Sequence, residues 1–298
     1  MTGSSGTLAR VITAVVLIPA VVAAVWWGST GLVAALTGLV TLLALLEFFA
    51  LAARAGLYGY RLWTCFCGLT ILFGQWNSAF AENRILEAGG ISIWRISSWN
   101  LEPFFWIDFL LIVFVMGASA ITLVSRRPLA EALSAIGISA AGLLFVAFPL
   151  SFVVRLHGLR GSNGAKFLLF LLVLVWVGDT LAYFVGRAMG RLPMAPQLSP
   201  KKTWEGAAAN LLGSLLVALV FSRWMTFELR HLLMMALLGN IAGQAGDLLE
   251  SAYKRSAGVK DSGVIIPGHG GVLDRVDALI LAAPVVWYYF QLVLNRRG

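Results

Sequence analysis

The sequence predicts an all-α fold, a polytopic membrane helix bundle of about nine transmembrane helices, and three observations carry that prediction. Of its 298 residues 59% are hydrophobic and only 12% charged, about half the roughly 25% found in soluble domains. Mean hydropathy is +0.86. The apolar residues also gather into runs near the ~20 residues that a helix needs to cross a ~30 Å hydrocarbon core. So few charges cannot cover an aqueous surface, and lipid must be the solvent for much of the chain. In lipid the backbone has to satisfy its own hydrogen bonds, which helices do within one segment.

The runs fall roughly at 9–27, 31–53, 62–80, 104–124, 133–156, 166–187, 206–223, 229–250 and 277–294. Before the first lies a small, polar stretch ending near Arg10. No small-x-small cleavage site follows it, so the run reads as a first span rather than a removed signal. Segment 81–103 mixes Glu82, Arg84, Glu87, Arg95 and Glu102 with apolar residues and reads as an interfacial loop or partial helix. Ahead of the seventh span, Ser199 suits an N-cap and Pro200 a helix start. Segment 254–274 is the longest polar, glycine-rich stretch. No period of about 20–50 residues recurs, so repeat architectures are not expected.

The net charge of +8 does not indicate nucleic acid. Basic residues stand in scattered pairs (Arg126-Arg127, Lys201-Lys202, Lys254-Arg255, Arg296-Arg297) between apolar runs, as topology-setting loop charges do. No basic stripe or nucleic-acid motif accompanies them. Attraction to anionic lipid headgroups is the better use of the excess. Counting loop Lys and Arg gives twelve on one face against ten on the other. This favours a cytoplasmic face for the loops after spans six and eight, with the N-terminus outside. Trp26, Trp27, Trp63, Trp204 and Trp224 sit near span ends, where interfacial anchors belong. Cys65 and Cys67, one residue apart in an apolar run, read as buried, inert thiols.

Ionisable residues in or beside membrane spans are costly and therefore functional candidates. Asp179, in Gly178-Asp179-Thr180, breaks the apolar run of the sixth span. Asp247 and Glu250 close the eighth, and Asp274 and Asp277 open the ninth, with Lys260-Asp261 in the loop between. Each pair is three residues apart, so its members share one helix face. The loop can fold back to bring the pairs together, and converging carboxylates call for a cation. All-oxygen ligands favour Mg²⁺ or Mn²⁺. The reading of Asp274 as a helix-start residue paired with Arg275 stands beside this one. Lys254, Arg255 and Lys260 supply positive charge in a glycine-rich loop suited to anions, and Gly268-His269-Gly270-Gly271 should form a turn presenting His269. Ser199, Lys201 and Lys202 form a second cationic segment, a clamp for a polyphosphate.

These residues carry a resemblance. Ser251 to Arg255, Lys260-Asp261-Ser262-Gly263, Pro267-Gly268-His269-Gly270-Gly271, Asp274-Arg275 and Asp277 closely resemble the signature of the phosphatidate cytidylyltransferase (CDP-diacylglycerol synthase) family. Asp179-Thr180 with Ala182-Tyr183-Phe184, the stretch from Ser199 to Gly206, and Gly246-Asp247 with Glu250-Ser251 resemble it too. Leu181 and Tyr253 depart from the pattern at positions that carry no chemistry. The resemblance implies CMP transfer from CTP to phosphatidate, with Mg²⁺ and an optional second cation. It implies metal-linked acids at Asp247 and Asp274, with Asp277 close by. On the charge argument, Asp277 and Asp261 are expected to support the metal, and Lys201, Lys202, Lys260 and Arg275 to neutralise the phosphates. Asp179 is placed near the route by which lipid arrives. The chain then divides into N-terminal transmembrane helices (1–160) and a C-terminal catalytic region (161–298). Expected partners are CTP, phosphatidate and the bilayer, with a homodimer left open. The expected location is a bacterial inner membrane, the site facing the cytoplasm.

A transporter is the main rival, but its two related halves with discontinuous spans are not visible. A CDP-alcohol phosphotransferase would need an acidic run that is not found. A lipid or polyprenol kinase of similar architecture would leave the full loop match unexplained.

Overall fold

The computed structural model describes residues 3–87, 103–159, 163–263, 265 and 270–294. Its architecture follows from the apolar runs. Among the described residues the helices are α1 (Gly3–Trp27), α2 (Thr30–Arg54), α3 (Arg61–Glu87) and α4 (Pro103–Val124), followed by α5 (Ala132–Ala141) and α6 (Phe148–His157). Then come α7 (Asn163–Met189), α8 (Trp204–Phe221), α9 (Leu229–Ser256) and α10 (Leu273–Tyr289). The α5–α6 pair is one rod, joined by a π-helical turn at Gly142–Ala147. Pro149 just beyond it has no N–H for a regular helical bond, a cause of the local widening. Among the described residues seven segments are long and apolar enough to cross a membrane. The chain is thus an all-α, polytopic integral membrane protein.

Two apolar cores hold the rods together. One centres on Phe152, Phe167, Phe170, Leu232, Met235 and Val286 from α6, α7, α9 and α10. The other joins Leu45, Phe48, Ile71, Val146, Leu150 and Ile280 from α2, α3, the π turn, α6 and α10. Because lipid tails are as apolar as these side chains, close packing rather than burial from water supplies the cohesion. Gly246 shows how tight that packing is. A Cβ there would lie 2.5 Å from the Asp277 carbonyl, so α9 and α10 touch backbone to backbone beside the acids.

Successive helices reverse direction, so the loops after α2, α7 and α9 share one end. The start of α1 falls at that end as well, since the α1–α2 turn lies at the other. This corrects the expectation of an N-terminus opposite the loops after spans six and eight. Position 10 moves to the site end, which deepens the basic bias there.

The segment before α8 also differs from expectation. Ser199–Thr203 is a strand, β2, antiparallel to β1 (Pro193–Ala195). Ser199 is therefore no N-cap and Pro200 no helix start. Thr203 caps α8, its hydroxyl accepting from Gly206 N at 3.2 Å, a contact worth about 1 kcal/mol. The Glu205 carboxylate accepts from Leu192 N at 3.2 Å and closes the hairpin. Segment 81–103 begins as helix, because α3 runs on to Glu87; 88–102 lie outside the described residues. Trp26 and Trp224 stack at 5.3 Å where α1 and α8 end. Cys65 and Cys67 are buried and free, as read.

Candidate active site

The acids converge where α9 ends and α10 begins. Asp247, Glu250 and Asp277 each turn an oxygen toward a common point, the three atoms within 4.8 Å of one another. The i, i+3 spacing puts the first two on one face of α9, and the Gly246 contact brings Asp277 across. Glu250 is fully buried, and its Oε1 has no hydrogen-bond donor among the described residues. Such an atom in a low-dielectric setting is costly unless a cation meets it. Three carboxylates with only oxygen to offer fit a hard divalent ion.

Asp274 takes a different place from the one expected beside Asp247. Its Oδ1 accepts from Lys254 Nζ at 2.6 Å. Its Oδ2 accepts from Ser262 N at 3.0 Å, Ser262 Oγ at 3.0 Å and Gly271 N at 2.9 Å. Lys254 also pairs with Glu250, so its ammonium links Asp274 to the three-acid group. The bond to Gly271 N suits a residue at a helix start, and the link through Lys254 joins Asp274 to the three acids.

The cationic segments arrive at the same end. Lys202 on β2 pairs with Asp247, and Lys201 beside it is exposed. Arg255 donates from Nε to Leu198 O at 3.0 Å and from Nη1 to Val259 O at 3.2 Å, tying the hairpin to the end of α9. Ser199 sits half-buried in β2, while Lys260, Asp261 and Arg275 are exposed around the acids. His269 lies outside the described residues.

Asp179 stands on an unbroken α7, within electrostatic range of Asp247, Lys202 and Arg275. Its Oδ1 accepts from Asn210 Nδ2 at 3.1 Å. Asn210 Oδ1 accepts from Asn240 Nδ2 at 2.6 Å, and Asn240 Oδ1 from Gln244 Nε2 at 2.6 Å. The three amides thus point their donors toward Asp179, a directed chain across α7, α8 and α9. Replacing Asn240 by Leu removes the middle link and leaves Asn210 Oδ1 without its donor, while Gln244 keeps the Ala207 carbonyl. Burial would suggest a cost of ~1–3 kcal/mol, but interhelical bonds in membranes average about 0.6 kcal/mol. The expected result is a loss of about 1 kcal/mol in detergent melts, with turnover falling several-fold as Asp179 loosens.

Sequence reasoning missed these amides, and it missed Glu47 on α2. Glu47 is buried, and its carboxylate accepts from Val272 N at 3.0 Å, Leu273 N at 2.8 Å and Ser262 Oγ at 2.9 Å. A signal existed: an acid within an apolar span is a functional candidate by default.

Acids flanked by lysines at one end of a polytopic helix bundle suit a class of membrane enzymes that handle phosphates. Within that class, residues 8–293 match the Cytidylyltransferase family, and the chain belongs to it. It is 32% identical over 292 residues to a phosphatidate cytidylyltransferase of Haemophilus influenzae, covering 96% of this chain and 99% of that one. One from Brucella abortus is 42% identical over 189 residues (60% of this chain, 65% of that protein). One from Staphylococcus haemolyticus is 44% identical over 127 residues (42% and 49%). This membership excludes the transporter reading.

Proposed function

We propose that this protein transfers CMP from CTP to phosphatidate, giving CDP-diacylglycerol and pyrophosphate. The observation that carries the proposal is the convergence of Asp247, Glu250 and Asp277 beside Lys202 and Lys254 where α9 ends and α10 begins. A phosphate oxygen of phosphatidate forms a bond to the CTP α-phosphorus, the bond from that phosphorus to the bridging oxygen breaks, and pyrophosphate leaves. The nucleophile is already anionic, so no side chain has to remove a proton. What the protein must supply is positioning and charge neutralisation.

Asp247, Glu250 and Asp277 would hold Mg²⁺, which when bound neutralises phosphate charge and the departing pyrophosphate. Asp274, the second ligand implied by the resemblance, stands next to them through Lys254 and is our candidate for a second cation. Lys201, Lys202, Lys260, Arg255 and Arg275 attract the phosphates; Ser199 and His269 would contact the substrate, and Asp261 would support the metal. Asp179, held by its amide chain, faces the substrate lipid. The accumulation of Lys and Arg at this end supports a cytoplasmic site in a bacterial inner membrane.

The test uses purified protein in detergent with phosphatidate, radiolabelled CTP and Mg²⁺. Label should enter lipid and pyrophosphate should be released only when phosphatidate is present. Release without phosphatidate, or none at all, would overturn the assignment. Light scattering on the same preparation decides whether a homodimer forms.

A further inference from the structure

The first turn of every helix leaves backbone N–H groups without partners, usually met by a side chain just upstream. At the start of α10 the capping position is Val272, whose side chain has no polar atom, and its own segment supplies no side-chain acceptor to the Val272 and Leu273 N–H groups among the described residues. The missing acceptor comes from another part of the chain. Glu47, from the C-terminal third of α2, takes the N–H groups of Val272 and Leu273, one on each carboxylate oxygen, and the Ser262 hydroxyl as well. Its charge also lies at the positive end of the α10 dipole. The loop is cut to fit it. A Cβ on Gly263 or on Gly271 would lie 2.4 Å from a Glu47 oxygen, so only glycine leaves room for the carboxylate.

That turn of α10 carries Asp274, with Asp277 at the start of the next, and Ser262 bonds Glu47 and Asp274 with the same hydroxyl. Whatever fixes Glu47 therefore fixes where both acids stand relative to Asp247, Glu250 and Lys254 on α9. We propose that Glu47 is a positioning residue for CMP transfer. It caps α10 from a distant helix and sets the register of the α10 acids against those of α9. Through it the N-terminal helices, which contribute no other group to the acidic site among the described residues, take part in the reaction. The inference rests on the cytidylyltransfer reading for its kinetic arm only.

The experiment compares Glu47→Gln with the unaltered protein in three measurements: turnover, KM for CTP and for phosphatidate, and Mn²⁺ affinity by electron paramagnetic resonance. The amide keeps the size of the carboxylate but puts an NH₂ group against a donor. A misplacement of the acids by a fraction of an ångström to 1 Å costs on the order of 10–100-fold in kcat. Both KM values should stay within a few-fold. Mn²⁺ binding should weaken about tenfold, as when a supporting group behind metal ligands is lost. Turnover and Mn²⁺ affinity both within twofold of the unaltered protein would overturn the proposal. If Glu47→Gln does not fold, Gly263→Ala displaces the Glu47 carboxylate without removing it and must give the same two losses; neither loss in that variant also overturns the proposal. If the unaltered protein transfers no CMP, the cytidylyltransfer reading fails, and the Mn²⁺ comparison still decides the role of Glu47.

Discussion

Asp247→Asn lowers CMP transfer by about a thousandfold or more, equivalent to ~4 kcal/mol of transition-state stabilisation. The change is isosteric, so it removes a charge without opening a cavity. Asp247 is one of three acids whose oxygens lie within 4.8 Å of each other. It is also the most accessible of them to a polyphosphate, because Lys202 reaches it from the hairpin. With Asn in place the group keeps two carboxylates, and its attraction for a divalent cation drops. Stability should move little, and the sign is instructive. The Lys202–Asp247 pair is about one-third exposed, so its loss costs no more than about 1 kcal/mol, offset by relief of repulsion from Glu250 and Asp277. The measurements are label incorporation from CTP across a Mg²⁺ titration and a thermal melt of the same sample. A variant within tenfold of normal turnover at saturating Mg²⁺ would remove Asp247 from the metal site.

What the sequence could show depended on range. Each apolar run became a helix because length and hydropathy are local properties, and the span expected at 133–156 is the rod Leu129–His157. Asp247 with Glu250 and Asp274 with Asp277 were legible for the same reason, since a spacing of three needs only a helix. Their convergence was inferable from one short loop. The division of labour among them was not. Asp274 faces Lys254 and the loop amides because α10 starts at Leu273 and places it in the first turn, a boundary shift of a few residues. Glu47 lies more than 200 residues from every group it bonds, and no local pattern links them. The hairpin escaped notice because Pro200 and two lysines have little strand propensity; tertiary ties from Glu205 and Arg255 hold it instead.

Lys254→Met should give the largest loss of stability. The Lys254 side chain is 13% exposed and stands between Glu250, fully buried, and Asp274, at 7%. Methionine fills nearly the same space but leaves two buried carboxylates facing each other without a counter-charge. Breaking a buried pair by removing one partner costs about 3–5 kcal/mol, several times what an exposed pair would. The same reasoning predicts a rescue. A divalent cation can take over the neutralising task, so added Mg²⁺ should raise the melting temperature of the Met variant more than that of the unaltered protein. Lys254→Arg keeps the charge with a bulkier head, and should lie between the two. Detergent-solubilised protein melted with and without Mg²⁺ provides the test. If the Met variant melts within 1–2 °C of normal, Lys254 is not the link that holds Glu250 and Asp274 together. If it melts low but gains nothing from Mg²⁺, the acids beside Lys254 do not form a cation site.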